Sequence, residues 1–206
     1  MYEMKHNAFD VVDMFEDEVA NYTGAPFAIA VDSCTNALFL CCSYYEVKKV
    51  SIPSKTYLSV PQSIMTAGGT VVFDTSRNNW SGRYQLKPYP IYDAAKQFTC
   101  NMYLPGTMMC LSFHAKKHIP IGKGGMILTD SKEAAMFLKR VRYEGRGRKP
   151  YREDDVMFLG WNMYMTPEQA ARGLTLMMSL PRHNDDMYED YRDLREFDLF
   201  KDCMVI

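Results

Sequence analysis

One lysine and one carboxylate stand where they could do covalent chemistry on a carbonyl compound. Lys117 ends the polar segment 112–117, which follows a buried-type apolar run. A lysine held on a turn between buried strands is desolvated, which lowers its pKa and favours the nucleophilic neutral amine. Asp93 follows the short apolar run 91–92, where it could cap a helix or serve as a buried counter-charge. Taken alone, Lys117 is more typical of a surface lysine and Asp93 of a helix cap.

A second segment has the residue types of a phosphate site. Residues 32–36 read Asp-Ser-Cys-Thr-Asn between two apolar runs. Free N–H groups and hydroxyls at a helix start can hold a phosphate, although simple capping leaves the same pattern. Residues 122–125, Gly-Lys-Gly-Gly, lack the spaced upstream glycine and the following Ser or Thr of a nucleoside-triphosphate loop, which excludes that binding mode.

Apolar periodicity predicts the elements that must position these groups. Capping signals at Asp130 and Thr166 mark two helix starts, and residues 76–90 look irregular. The predicted helices cover residues 7–22, 37–42, 56–67, 130–141, 166–180 and 184–200, and the predicted strands cover 27–31, 47–52, 70–73, 91–92, 108–113 and 126–128. Alternating strands and helices predict an α/β fold with a mainly parallel sheet flanked by helices.

The composition limits the classes of partner. The chain has 206 residues, 47% hydrophobic and 24% charged, with a formal net charge of −1. Such a balance gives no global field for nucleic acid or an anionic membrane, so we expect neither partner. The arginine-rich stretch 140–152 is typical of a solvated loop. The longest apolar runs are too short to span a membrane, which favours a cytoplasmic protein.

The six cysteines point to buried, reduced thiols. They lie mostly in apolar runs and include the adjacent pair Cys41 and Cys42, which is awkward for a disulfide staple. They show no paired short spacing with histidine, so the sequence predicts no metal site.

Taken together, six segments resemble the DegT/DnrJ/EryC1/StrS family of pyridoxal-phosphate sugar aminotransferases. The segments are 32–38 (DSCTNAL, for the family's SGTxAL), 53–57 (PSKTY, for PxxTF), 93–95 (DAA, for DAAQ), 112–117 (SFHAKK, for SFHxxK), 122–125 (GKGG, for GEGG) and 160–171 (GWNMYMTPEQAA, for GYNxRMSELQAA). The resemblance runs from about residue 7 to residue 180. It implies the large domain of the fold type I pyridoxal-phosphate transferases over residues 1–180, a helical tail over 181–206, and no C-terminal small domain.

The resemblance also implies a role for each site residue. Lys117 would hold pyridoxal 5'-phosphate as a Schiff base and then move the substrate proton, while Asp93 would pair with the pyridine nitrogen. Tyr57 would stack on the ring. The phosphate would be held by Cys34, Thr35 and Ser112, with Asn162 reaching in from the neighbouring subunit of a homodimer. Lys96 stands where the family usually has the residue that touches the ring hydroxyl, and Gln97 is the alternative.

The implied reaction is transfer of an amino group from an amino acid, such as glutamate, to a nucleotide-linked keto sugar. The resemblance places the arginine-rich stretch 140–152 near the substrate entrance, where it could meet nucleotide phosphates. Three alternatives stay open: a pyridoxal-phosphate sugar dehydratase, a half-transaminase, or a cofactor-binding assembly partner with no turnover of its own.

Overall fold

The chain forms five α-helices and eight strands within residues 7–206, the part that the computed structural model describes. The helices are α1 (Asp10–Thr23), α2 (Cys34–Tyr44), α3 (Ser59–Thr66), α4 (Lys132–Val141) and α5 (Pro167–Met177). The strands are β1 (Phe27–Val31), β2 (Lys49–Ile52), β3 (Thr70–Phe73), β4 (Tyr84–Leu86), β5 (Ile91–Asp93), β6 (Met108–Ser112), β7 (Gly125–Thr129) and β8 (Met204–Val205). All of the predicted strands and five of the six predicted helices are present. Strand β4 lies inside the stretch that the sequence indicated as irregular.

The strands form two sheets. A five-stranded sheet has the order β1-β7-β6-β5-β4, and a three-stranded parallel sheet has the order β2-β3-β8. The prediction of a mainly parallel sheet is wrong for the larger one, where only β5 and β6 pair in parallel. The reason lies in the connections, because four residues join β4 to β5 and a helix-free segment joins β6 to β7. A parallel crossover needs a longer connection, usually a helix.

Both faces of the larger sheet are buried, as the α/β prediction requires. Along β6, Met108 and Cys110 belong to the core that contains α2 and α4, whereas Met109 and Leu111 belong to the core that contains α1 and α5. This alternation is the period-two pattern of a strand covered on both sides. The central strands therefore lie inside the molecule, and only their ends can carry polar side chains to a cavity.

Local capping defines where the helices begin. Thr166 and Gln169 form the predicted capping box at the start of α5, with Pro167 in the first turn. At α4 the cap is Ser131, whose hydroxyl accepts from the amide of Ala134, and not Asp130 as the sequence indicated. Ser33 caps α2 by accepting from the amide of Asn36 at 3.2 Å.

The C-terminal segment departs most from prediction, because residues 184–200 contain no α-helix. They run extended and include two short 3-10 turns, Leu194–Glu196 and Asp198–Phe200. Like charges four residues apart, such as Asp185 with Glu189, oppose a helix here. The backbone instead bonds to the body of the protein, for example from the amide of Leu194 to the carbonyl of Ser54 at 2.9 Å.

Candidate active site

A cavity of about 470 Å³ opens at the carboxyl edge of the larger sheet. Strands β5 and β6 are parallel neighbours, so Asp93 and Ser112 at their ends reach the same edge, and α2 begins beside them. Clefts at this edge are where ligands bind in α/β proteins. Seven of the eight residues predicted for the site line the cavity, namely Cys34, Thr35, Tyr57, Asp93, Lys96, Ser112 and Lys117.

Lys117 lies on a turn that follows β6. Its backbone amide donates to the carbonyl of His114 at 2.9 Å, which closes the turn, and Lys117 lines the cavity. Burial and the charge of Lys96 lower the Lys117 pKa, whereas Asp93 raises it. The net shift is downward, so the neutral amine is more available than on a surface lysine.

Asp93 is a buried carboxylate at the end of β5. The residue is 4% exposed, and one carboxylate oxygen accepts from the amide of Ala95 at 2.9 Å. Burial raises the Asp93 pKa, while the Ala95 amide, the Tyr84 hydroxyl and the nearby lysines Lys117 and Lys96 favour its ionised form. A buried carboxylate of this kind is suited to hold a protonated ring nitrogen.

The N-terminus of α2 forms a cup of donors. The amides of Cys34 and Thr35 lie in the first turn, where the helix offers them no carbonyl partner. The Thr35 hydroxyl is 2.8 Å from the Ser59 hydroxyl. Gly125 lets β7 approach this turn, because a Cβ on it would lie 2.4 Å from the backbone carbon of Ser33. Oriented amides and hydroxyls of this kind bind phosphate.

Aromatic side chains form one wall of the cavity. Tyr57 is 53% exposed, and its ring centroid lies 6.3 Å from that of Tyr191. The Tyr191 ring stacks on Trp80 with centroids 6.0 Å apart and an interplanar angle of 14°. Tyr57 therefore lines the cavity with about half of its surface exposed, which leaves the ring accessible for stacking.

Of the two candidates for the ring hydroxyl, only Lys96 lines the cavity. The Lys96 residue is 3% exposed, and its ammonium forms an ion pair with Glu189. The side chain of Gln97 contacts Arg83 and donates to Asp186 at 2.8 Å, away from the cavity lining.

Asn162 lies outside the cavity of its own chain. Its side-chain amide donates to Glu144 at 2.9 Å. The arginine-rich stretch also contributes no residue to the lining, although the resemblance implied a place near the entrance. Its Arg142 is buried against Glu16, which corrects the expectation of a fully solvated loop, and Arg148 pairs with Asp13 at 2.9 Å. These two arginines therefore connect the arginine-rich stretch to α1.

Sequence reasoning missed the C-terminal segment as part of the site. Met187, Tyr188, Glu189 and Tyr191 all line the cavity. The like charges that oppose a helix in this segment were an available signal, but nothing in the sequence shows which cavity an extended segment would cover. The six cysteines are free thiols, and burial raises the pKa of Cys34 at the cup, which keeps it protonated. No helix of residues 7–206 has the length and apolar character needed to cross a membrane.

A lysine with a lowered pKa, a buried carboxylate and the helix-start cup thus share one cavity. The fold is that of the fold type I transferases that use pyridoxal 5'-phosphate. The chain belongs to the DegT/DnrJ/EryC1/StrS aminotransferase family, which matches residues 5–88 and 90–196. Aminotransferases of this family depend on pyridoxal 5'-phosphate.

Curated relatives include proteins of sugar and polysaccharide synthesis. The spore coat polysaccharide biosynthesis protein SpsC of Bacillus subtilis is 27% identical over 232 residues, covering 85% of this chain and 57% of SpsC. GDP-perosamine synthase of Caulobacter vibrioides is 26% identical over 212 residues, covering 82% of this chain and 57% of the synthase. The chain thus spans somewhat more than half the length of these relatives.

Solved structures share the fold. AtS13 of Actinomadura melliaura superposes with a TM-score of 0.70 at 21% identity, covering 82% of this chain and 60% of AtS13. PseC of Helicobacter pylori, an aminotransferase involved in the biosynthesis of pseudoaminic acid, superposes with a TM-score of 0.68 at 17% identity. The match covers 86% of this chain and 59% of PseC. At these identities the likeness concerns the fold alone.

Proposed function

We propose that this chain is the cofactor-binding part of a sugar aminotransferase that moves an amino group from an amino acid, such as glutamate, to a nucleotide-linked keto sugar. One observation carries the proposal: the Lys117 amine, with its lowered pKa, lines the same cavity as the buried carboxylate of Asp93. The names of the relatives support the substrate class, since they include GDP-perosamine synthase and a UDP-linked altrosamine transaminase.

The donor set fits pyridoxal 5'-phosphate at both ends. The group needs an amine for its aldehyde, an anion for its protonated ring nitrogen and several donors for its phosphate. Lys117, Asp93 and the amides of Cys34 and Thr35 have these properties and share one cavity. When bound, the group supplies an electron sink for the negative charge that develops on the substrate carbon.

Each residue of the chain then has a distinct task. Lys117 would hold the aldehyde end of the group, and its amine, once free, would take and return the proton at the substrate carbon. Asp93 keeps the ring nitrogen protonated, and Tyr57 fixes the ring plane by contact with its face. Ser112 adds a hydroxyl to the phosphate cup, and Lys96 offers its ammonium to the ring oxygen.

We also propose that two copies of the chain form a homodimer in which Asn162 completes the neighbour's phosphate cup. Its position outside the cavity of its own chain supports this assignment. We assign the cofactor-binding domain to residues 1–180 and a covering tail to 181–206. Six free thiols favour a reducing compartment, so we place the protein in the cytoplasm.

Replacement of Lys117 tests the proposal. The purified chain is mixed with pyridoxal 5'-phosphate, and the visible absorbance of the captured cofactor is recorded. We expect wild type to turn yellow and Lys117→Ala to lose this absorbance, because the variant has no amine at the reacting position. Borohydride reduction followed by peptide mapping should locate the cofactor on Lys117 in wild type.

Lys116→Ala is the matched control, since Lys116 is the adjacent lysine and also lines the cavity. It should retain the absorbance. Equal absorbance in wild type and Lys117→Ala would refute the proposed chemistry. Capture without amino transfer to a nucleotide-linked keto sugar would support the assembly-partner alternative, and a deoxy sugar without stoichiometric keto acid would support the dehydratase.

A further inference from the structure

The C-terminal segment brings the carboxylate of Glu189 to the ammonium of Lys96. Among the described residues, Lys96 is the one buried lysine of the cavity wall. The Lys96 side chain is 4% exposed, whereas that of its partner Glu189 is 52% exposed. Removal of the exposed partner returns a carboxylate to water at low cost, but it leaves a buried ammonium that requires another anion. The geometry of the pair therefore favours exchange of the anion while the cation stays in place.

The Lys96 ammonium has a second contact besides Glu189. The Lys96 ammonium lies 5.1 Å from the centroid of the Tyr191 ring, within range of a cation–π interaction. The backbone carbonyl of Lys96 accepts from the amide of Met187 at 2.8 Å, which anchors the segment near Glu189. Rotation of the Glu189 side chain alone can thus vacate the ammonium while the segment remains attached.

The cavity as a whole carries excess positive charge. Its wall has four lysines, Lys96, Lys116, Lys117 and Lys123, against the carboxylates of Asp93 and Glu189. Lys123 pairs with Asp32 at 3.1 Å, while Lys116 has no ion pair among the described residues. Such a site attracts anions, and the anion that it already holds on Lys96 is a carboxylate.

We propose that Lys96 is a carboxylate-binding residue and that Glu189 is its internal ligand, which a small carboxylic acid displaces. Because an ammonium has three donors, Lys96 can hold a ring oxygen and a carboxylate together. The inference rests on the proposed function for the identity of the natural ligand, which is the carboxylate of the amino-acid donor or of its 2-oxo product. Glu189 keeps the ammonium paired between turnovers.

Calorimetric titration with glutarate tests the proposal, using the full chain without added pyridoxal 5'-phosphate. Glu189→Gln removes the tethered competitor, so glutarate should bind about tenfold more tightly than to wild type. Lys96→Met should abolish binding. Glutaramide, which has the same carbon chain without charge, should not bind to any variant.

Glu196→Gln is the matched control. Glu196 lies on the same segment and pairs with Arg192 at 2.6 Å, outside the cavity lining. The affinity of the Glu196→Gln variant for glutarate should equal that of wild type. Glu189→Gln should fold, because the replaced side chain is half-exposed, and thermal unfolding checks this. If Lys96→Met fails to fold, the comparison of Glu189→Gln with wild type still decides.

Unchanged or weaker glutarate binding by Glu189→Gln, or wild-type binding by Lys96→Met, would overturn the inference. Neither result concerns the capture of an aldehyde by Lys117. Conversely, a wild-type chain that does not turn yellow with pyridoxal 5'-phosphate would refute the proposed function. The glutarate result would not be affected. The two experiments therefore fail separately.

Discussion

At the scale of single residues, the site is a set of coupled charges. Lys96 and Lys117 face Asp93 and Glu189, and each of the other three groups shifts the pKa of Lys117. Burial lowers that pKa first, and the neighbouring ammonium of Lys96 lowers it further. The chain thus favours a neutral nucleophile by placing a second cation beside it.

The pH dependence of cofactor capture should reveal this coupling, because the neutral Lys117 amine is the form that reacts. Lys96→Met removes a nearby positive charge and raises the Lys117 pKa, so half-maximal capture should move to higher pH. Glu189→Gln removes a nearby negative charge and lowers that pKa, so half-maximal capture should move to lower pH. Absorbance of the captured cofactor, measured across a pH series, gives both midpoints.

Glu196→Gln again serves as the control, with no change in midpoint expected. Shifts of the two site variants in the same direction would contradict the electrostatic account, since the two removed charges have opposite signs.

The spacing of residues identified most of this site but not its internal ligand. Seven predicted residues surround the cavity because strand ends and helix starts recur at fixed places in an α/β sheet. Glu189 could not be found in this way, since its position depends on how an irregular segment crosses the molecule. Likewise, the sequence alone did not show whether Lys96 or Gln97 lines the cavity, because this depends on the path of the chain after β5.

At the scale of elements, the C-terminal segment is held by tertiary hydrogen bonds of its backbone and side chains in place of helical hydrogen bonds. Asp193 caps the turn Leu194–Glu196 by accepting from the amide of Arg195 at 3.0 Å, and it accepts from the Ser54 hydroxyl at 3.0 Å. Apolar spacing alone suggested a helix here. Tertiary hydrogen bonds and repulsion between like charges outweigh that pattern.

Asp193→Asn should therefore destabilise the fold by about 1 kcal/mol at neutral pH, because the cap and a charged hydrogen bond are weakened. The Arg195 side chain lowers the Asp193 pKa from 3.8 to about 2. A lowered pKa stabilises the folded state above the unfolded value and loses this effect as the pH falls toward 2. The difference between variant and wild type should shrink over that window in urea unfolding experiments.

Asp190→Asn is the control for the same segment, since the Asp190 side chain is 73% exposed and its ion pair with Lys55 lies at the surface. The free energy of unfolding of Asp190→Asn should equal that of wild type at every pH. A difference for Asp193→Asn that does not change between pH 7 and pH 2 would argue against the assigned ion pair.

At the scale of the whole molecule, local patterns predicted the elements and the two-sided burial of the sheet, but not its strand directions. The directions follow from which strands become neighbours, and β1 pairs with β7 across 94 positions of sequence, from Val31 to Gly125. No periodicity contains that information. The buried pair of Glu16 with Arg142 is equally non-local, because it joins α1 to the residue after α4.

The proposed homodimer offers a test that only an assembly of two chains can pass. Lys117→Ala lacks the capturing amine, and Asn162→Ala lacks the residue that we assign to the neighbour's phosphate cup. After the two variants are unfolded together and refolded, about half of the dimers should be hybrids, and each hybrid has one site with both residues intact. At a cofactor concentration too low for Asn162→Ala alone, the mixture should therefore recover about a quarter of the wild-type absorbance. Sedimentation measures the dimer in the same samples, and a dimer without recovery would show that Asn162 does not serve the neighbouring site.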